Sequence, residues 1–382
     1  MKKEILKKQF LAIDLTKVVL SLFVVQIHCF NLLPASASPR FYSSLYDFCR
    51  ILFSQGICRL AVPTFFLISG YLFFRNLEVW NNQIYWEKVR KRWFSLLLPY
   101  IVWNLAAFMS LMFQEYVADI ARGGSWQNFY SHLISIWTQY GGVRMLYDSG
   151  DTVHGTVSIL GYMVLGAGPI NLPLWYIRDL IVLIVFSPVI YFFVRYARYL
   201  WLLFSGILMV LNIGLPYTFV TVVGVFFFSL GSFLAINKFS LWECEKKMRA
   251  FLGGMTIFSL AGMVVCYGYD EMVYIIFRNL YTLFGCLLVI PILGYIIKIR
   301  NFKSSKISFV AHASFFIYVS HYCIFLPISY QIVKLLLPFS TSFFLCLKYF
   351  AAGGITVMMS LGVYWSFNKW LTSPLKKILL GR

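Results

Sequence analysis

Apolar stretches of about 20 residues, each enough to cross roughly 30 Å of hydrocarbon, recur along the whole chain. They lie near 10–33, 50–74, 93–117, 172–194, 199–214, 217–236, 250–267, 273–297, 309–336 and 341–366. In lipid, backbone amides must be satisfied within the segment, so runs of this length predict helices. The expectation is an all-α membrane protein of about ten transmembrane helices. Charged residues make up only 12% of the 382, about half the soluble average of roughly 25%. No soluble domain, linker or internal repeat interrupts the pattern, so one integral-membrane domain is expected over 1–382.

A formal net charge of +19 would suit a nucleic-acid partner if the cations shared a surface. Instead they gather in 2–8, 75–92, 195–198, 238–249, 298–306 and 369–382. The alternate connections hold only Arg40, Arg122 and Arg144. That bias puts both termini in the cytoplasm of a bacterial-type inner membrane, and it makes membrane lipids, not nucleic acid, the partners of most of the charge. "MKKEILKK", an apolar run and "ASAS" at 35–38 imitate a cleaved signal peptide. Asp14, Lys17 and His28 fit such a segment badly, so it reads as a retained first span. Residues 118–171 form the one long connection, placed outside; its apolar "VSILGYMVLGAGP" is too short to span and reads as interfacial or re-entrant.

Seven cations remain within spans: Lys17, Arg50, Arg59, Arg178, Arg278, Lys334 and Lys348. Ionisable groups in a membrane are costly and normally face a protein interior or a watery cavity. Lys17 and His28 are eleven residues apart, so on a helix they point the same way, about 16 Å apart. Asp14 and Ser21 flank that line, giving one polar seam on an apolar helix. In "AHASFFIYVSHYC" (311–323), Ser314, Tyr318 and His321 share a face, with His312 opposite. In "PLWYIRDLI" (173–181), Trp175 and Arg178 lie one turn apart. Arg59, Arg178 and Arg278 fall in the outer halves of their helices. Either they pair with Asp179 and helix ends, or they line a site for an anionic or polyhydroxyl ligand. The eight cysteines (29, 49, 58, 244, 266, 286, 323, 346) have no metal-ligand spacing and read as buried apolar residues.

These stretches resemble the acyltransferase 3 family of membrane acyltransferases. Lys17-x10-His28 resembles the family's R-x10-H signature in the first helix, with Lys in place of Arg. "RLAVPTFFLISGYLF" (59–73) is similar to its second-helix block and "KVRKRWFSLLLPY" (88–100) to its basic third-helix start. "LWYIRDLI" and "SFFIYVSHYCIF" resemble two later blocks. The order is kept across 13–325, and the resemblance is to short members without an appended esterase-like domain, such as the enterobacterial-common-antigen O-acetyltransferase type.

The resemblance implies transfer of an acyl group, usually acetyl, from cytoplasmic acyl-CoA to a hydroxyl of an extracytoplasmic glycan or lipid-linked sugar, without a metal. Lys17, Ser21, Lys88, Arg90, Lys91 and Arg92 would then hold the donor. His28 would act as general base or nucleophile, Tyr318 or His321 would support it, and Arg59 and Arg178 would stabilise the oxyanion or position the acceptor. Lys17 keeps the charge of the family arginine but loses its planar fork. Intramembrane charge also suits a transporter or flippase, or an amino-acid-binding module resembling those fused to serine racemases. A purely structural scaffold fits the aligned seam least.

Overall fold

The computed structural model describes residues 2–33, 40–75, 77, 80–121, 123, 126–142, 144–147, 157–159, 162–164, 168–214, 220–299 and 304–381. In chain order the helices are α1 (Lys2–His28), α2 (Leu45–Arg50), α3 (Ala61–Phe74), α4 (Asn82–Arg92), α5 (Leu98–Ala121), α6 (Trp126–Tyr140) and α7 (Arg144–Tyr147). There follow α8 (Trp175–Val185), α9 (Ser187–Phe192), α10 (Arg198–Val210), α11 (Val222–Ile236) and α12 (Lys246–Cys266). The last are α13 (Glu271–Ile299), α14 (Ser304–Ser320), α15 (Leu326–Leu336), α16 (Ser342–Trp370) and α17 (Ser373–Leu380).

Eight helical runs among the described residues are long and apolar enough to cross a membrane, and α11 is a shorter apolar helix. The chain is thus a multi-pass, all-α membrane protein. One of the eight runs, Ser187–Val210, is bent: Arg198 has φ +44°, and the rings of Phe193 and Trp201 stack 4.6 Å apart. Eight residues of straight helix would separate them by about 12 Å. The chain therefore doubles back at Arg198, where the sequence separates the expected spans 172–194 and 199–214.

The 118–171 connection differs from the expected loop. Helix α5 runs on to Ala121, α6 fills 126–140, and the apolar stretch pairs as two short antiparallel strands, Val157–Ile159 with Tyr162–Val164. The exposed aromatics Tyr130 and Trp137, two turns apart on α6, give it one apolar side, as an interfacial helix needs.

Helix α1 runs through the middle of the bundle, packed against α3, α13, α14 and α16. Its far end is tied down by polar contacts. Ser54 Oγ donates to the Gln26 carbonyl (2.5 Å) and meets the Tyr349 hydroxyl (2.6 Å), while Gln26 Nε2 donates to the Tyr349 carbonyl (3.4 Å). Helices α3 and α11 cross at backbone contact. A Cβ on Gly70 would strike the backbone of Phe228, and one on Gly231 the backbone of Leu67 and Tyr71. Glycine at both positions lets the two helices meet, as small residues do in membrane bundles.

Among the described residues, three π-helical turns interrupt the bundle, at Ile51–Gly56, Trp93–Leu97 and Phe193–Ala197, and a fourth at His321–Phe325 follows α14. Such turns are uncommon, cluster at functional sites and rotate the residues beyond them. The first and the last flank the end of α1.

Candidate active site

Helix α1 ends at His28. Its ring lies 5.1 Å from that of His321 and 4.9 Å from that of Tyr322. His321 is fully buried at the start of the last π-turn, just beyond α14, which packs against α1. Its Nδ1 is 2.8 Å from the Tyr318 carbonyl and 3.1 Å from the Ile317 carbonyl. Carbonyls only accept, so Nδ1 carries the proton and Nε2 presents a lone pair. That Nε2 is buried and has no partner among the described residues. The site therefore holds two neighbouring imidazoles, one of them locked as an acceptor.

Further rings lead away from this pair. Tyr318 lies 6.3 Å from His321 and 5.8 Å from Tyr176. Tyr176 OH pairs with Ser69 Oγ at 3.1 Å, and Arg92 is close enough to interact with it electrostatically. The line His28–His321–Tyr318–Tyr176–Arg92 thus joins the imidazoles to the basic end of α4. The Tyr318 hydroxyl donates to the Pro173 carbonyl; it supports the wall of the site rather than bonding His28. Asn171, just before, is held by Asn104 Oδ1 (3.1 Å) and itself donates to the Val319 carbonyl (2.9 Å). The entry to α8 is so fixed against α5 and α14.

At the other end of the seam, Lys17 Nζ is 3.4 Å from Asp14 Oδ1, and Asp14 Oδ2 accepts from Ser308 Oγ at 3.3 Å. Lys17 keeps about a third of its side-chain surface exposed, 35%. Ser21 is buried and its hydroxyl donates to the Val18 carbonyl at 2.8 Å, so within the seam it satisfies its own helix. Lys88 donates to the Phe73 carbonyl and lies over the Phe73 ring; Arg90, Lys91 and Arg92 are exposed on the last turn of α4. Arg75, two residues beyond Phe73, stacks over Phe10 of α1 at 5.2 Å. The α4 cluster and the Lys17 half of α1 therefore share one end of the bundle.

Arg178 and Arg59 have different partners. Arg178 pairs with buried Asp179 (3.1 Å), whose other oxygen accepts from the Thr221 amide at 2.8 Å; of the two sequence readings, this is the ion-pair one. Arg59 donates from Nε (3.1 Å) and Nη2 to Gln55 Oε1 and is close enough to His28 to interact electrostatically. The neighbours of the imidazoles that sequence reasoning missed are Tyr322, Tyr176, Ser69 and Gln55. Tyr176 and Tyr322 are chain neighbours of residues singled out, but their contacts with Tyr318 and His28 come from tertiary packing. His312 is exposed, away from His321.

The model of the family described as "Acyltransferase domain" (acyltransferase 3) matches residues 10–369. A succinoglycan biosynthesis protein, ExoH, of Rhizobium meliloti (strain 1021) is 28% identical over 156 residues, which is 40% of this chain and 35% of that protein. The match thus spans about a third of the relative's length. No solved structure matches the chain.

Proposed function

The chain belongs to the acyltransferase 3 family, and on that footing we propose that it moves an acyl group, acetyl foremost, from cytoplasmic acyl-CoA to a hydroxyl of an extracytoplasmic glycan or lipid-linked saccharide. Both termini are assigned to the cytoplasm from the distribution of basic residues. The relative's part in succinoglycan biosynthesis supports a polysaccharide acceptor. The observation that carries the reading is the imidazole pair, His28 and His321, with its rings 5.1 Å apart.

The acceptor hydroxyl oxygen attacks the thioester carbonyl while His28 takes the hydroxyl proton. The tetrahedral intermediate collapses, the C–S bond breaks, and the proton passes from His28 to the departing thiolate, leaving an ester and free CoA thiol. In the reacting state the unpartnered Nε2 lone pair of His321 would take the N–H of the neighbouring His28 ring, leaving the opposite nitrogen of His28 to face the hydroxyl as a base. Arg59, next to His28, meets the oxyanion. The exposed cations of α4 and Lys17 hold the phosphates of CoA at the basic end of the bundle.

Mass spectrometry of cell-surface glycans from cells with and without the gene tests the reading. A shift of one acyl group per modified sugar is expected. Identical spectra under conditions where the protein is made would refute it.

A further inference from the structure

The unused cations nearest the imidazole pair are arginines. Arg278 of α13 is close enough to Arg59 for the two to repel. Their hydrogen-bond partners among the described residues are neutral: Gln55 for Arg59, and Asn279 Oδ1 at 3.3 Å for Arg278. Tyr274 joins them, its hydroxyl donating to Gln55 Oε1 at 3.2 Å and its ring lying under the Arg278 guanidinium. Neither arginine has an ion pair among the described residues, although Arg178 and Arg50 both do. The ring of Tyr267 packs 5.4 Å from Tyr274 and 6.2 Å from Phe30, over which Arg50 stacks. Arg50 is 2% exposed, and its Nε is taken by Asp47 at 2.8 Å. Its buried Nη2 has no partner among the described residues.

Two half-buried guanidiniums held near each other by neutral groups are unfavourable in a low-dielectric setting unless an anion joins them. Gln55 and Asn279 fix their orientation without neutralising them, as a preformed anion site requires. Of the nearby carboxylates, Asp47 is already taken by Arg50, and Glu271, exposed on the first turn of α13, acts on Arg278 through space without forming an ion pair with it.

Resting on the acyl-transfer reading, we propose that Arg59, Arg278 and the buried, unpartnered Nη2 of Arg50 form an oxyanion-binding subsite beside His28, and that the acceptor is an acidic saccharide. The anionic group is a carboxylate on the sugar or the diphosphate of a lipid carrier. Bound there, it holds the substrate with a neighbouring hydroxyl at the imidazole. Arg59 then faces both the anion and the reacting carbonyl, whereas Arg278 serves the anion alone and acts as a specificity residue.

Binding to the purified full chain separates these possibilities. The probes are trigalacturonate, its fully methylated ester, maltotriose and farnesyl diphosphate. Trigalacturonate is expected to bind at least about tenfold more tightly than its ester or maltotriose, the share of one charge-assisted contact. Arg278→Gln, which can still bond Asn279, should abolish that preference, and Arg278→Lys should keep part of it. An Arg278-dependent preference shown by farnesyl diphosphate instead would uphold the subsite and assign the anion to the lipid carrier. Equal binding of charged and neutral probes by the wild type, or a preference that survives both Arg278→Gln and Arg59→Gln, overturns the proposal. The wild-type comparison of acid with ester needs no variant to fold. If the chain is no acyltransferase, acetyl-CoA will yield no thiol while the binding preference stands, so the two failures are distinct.

Discussion

Replacing His321 by Phe keeps a ring among Tyr318, Tyr322 and His28 but removes the lone pair assigned to orienting His28. The fold should survive, because the lost Nδ1 bonds run to carbonyls of its own helix, Ile317 and Tyr318. Without Nε2, the half-buried His28 N–H would lack the partner proposed for it in the reacting state. That costs about 1–3 kcal/mol, which corresponds to roughly 5- to 150-fold in rate at about 1.4 kcal/mol per decade. The loss should fall on kcat, with the KM values for both substrates within about twofold, since His321 touches neither. In His321→Gln, a side-chain oxygen can again accept from His28, so part of the rate should return. The assay is acyl transfer by purified protein at saturating acetyl-CoA, with melting temperature as the control for folding. An unchanged kcat in His321→Phe would refute the orienting role. So would a loss matched by a fall in melting temperature and not relieved in His321→Gln.

Lys17→Ala should raise the KM for acetyl-CoA, and Lys17→Arg should preserve it; the partly exposed Asp14 pair is worth only about 0–1 kcal/mol, so stability should barely move, and unchanged donor affinity in the alanine variant would remove Lys17 from the donor site. Gly70→Ala or Gly231→Ala should destabilise the bundle by about 1–3 kcal/mol through overpacking, read as a lower melting temperature, and a normal melting curve would contradict the α3–α11 contact. With native thiols removed, a cysteine placed at exposed Trp137 should react with an impermeant reagent from outside the cell. Labelling from the cytoplasm alone would invert the topology.

Much of this was legible because lipid demands simple patterns. Apolar runs of helical period became helices, and the Lys17–His28 spacing put both residues on the central helix α1. His321 was readable as a candidate, but not as the direct neighbour of His28, because that proximity exists only once α14 packs against α1. The same limit hid Tyr322 and Tyr176, which differ from their chain neighbours only in which way the backbone turns. Gly70 stood in a motif, yet its partner Gly231 lies far away in sequence, and their contact exists only once the helices cross. Ser21, placed on the polar seam by its spacing, donates to its own helix at the Val18 carbonyl, a contact the spacing did not show. In 118–171, expected as one long connection, the spacing of Trp126, Tyr130 and Trp137 already suits a helix with one apolar side, which α6 is.

The central claim, that His28 moves the proton, is tested most directly by comparing wild type with His28→Gln at equal protein level in the membrane. Glutamine can hydrogen-bond at that position but cannot accept a proton near neutral pH. The account predicts that His28→Gln stays folded and binds CoA as the wild type does, while acyl transfer falls by at least about a hundredfold, the low end of general-base effects. A wild-type rate of transfer in that variant would make the polar seam of α1 a packing feature and His28 a bystander.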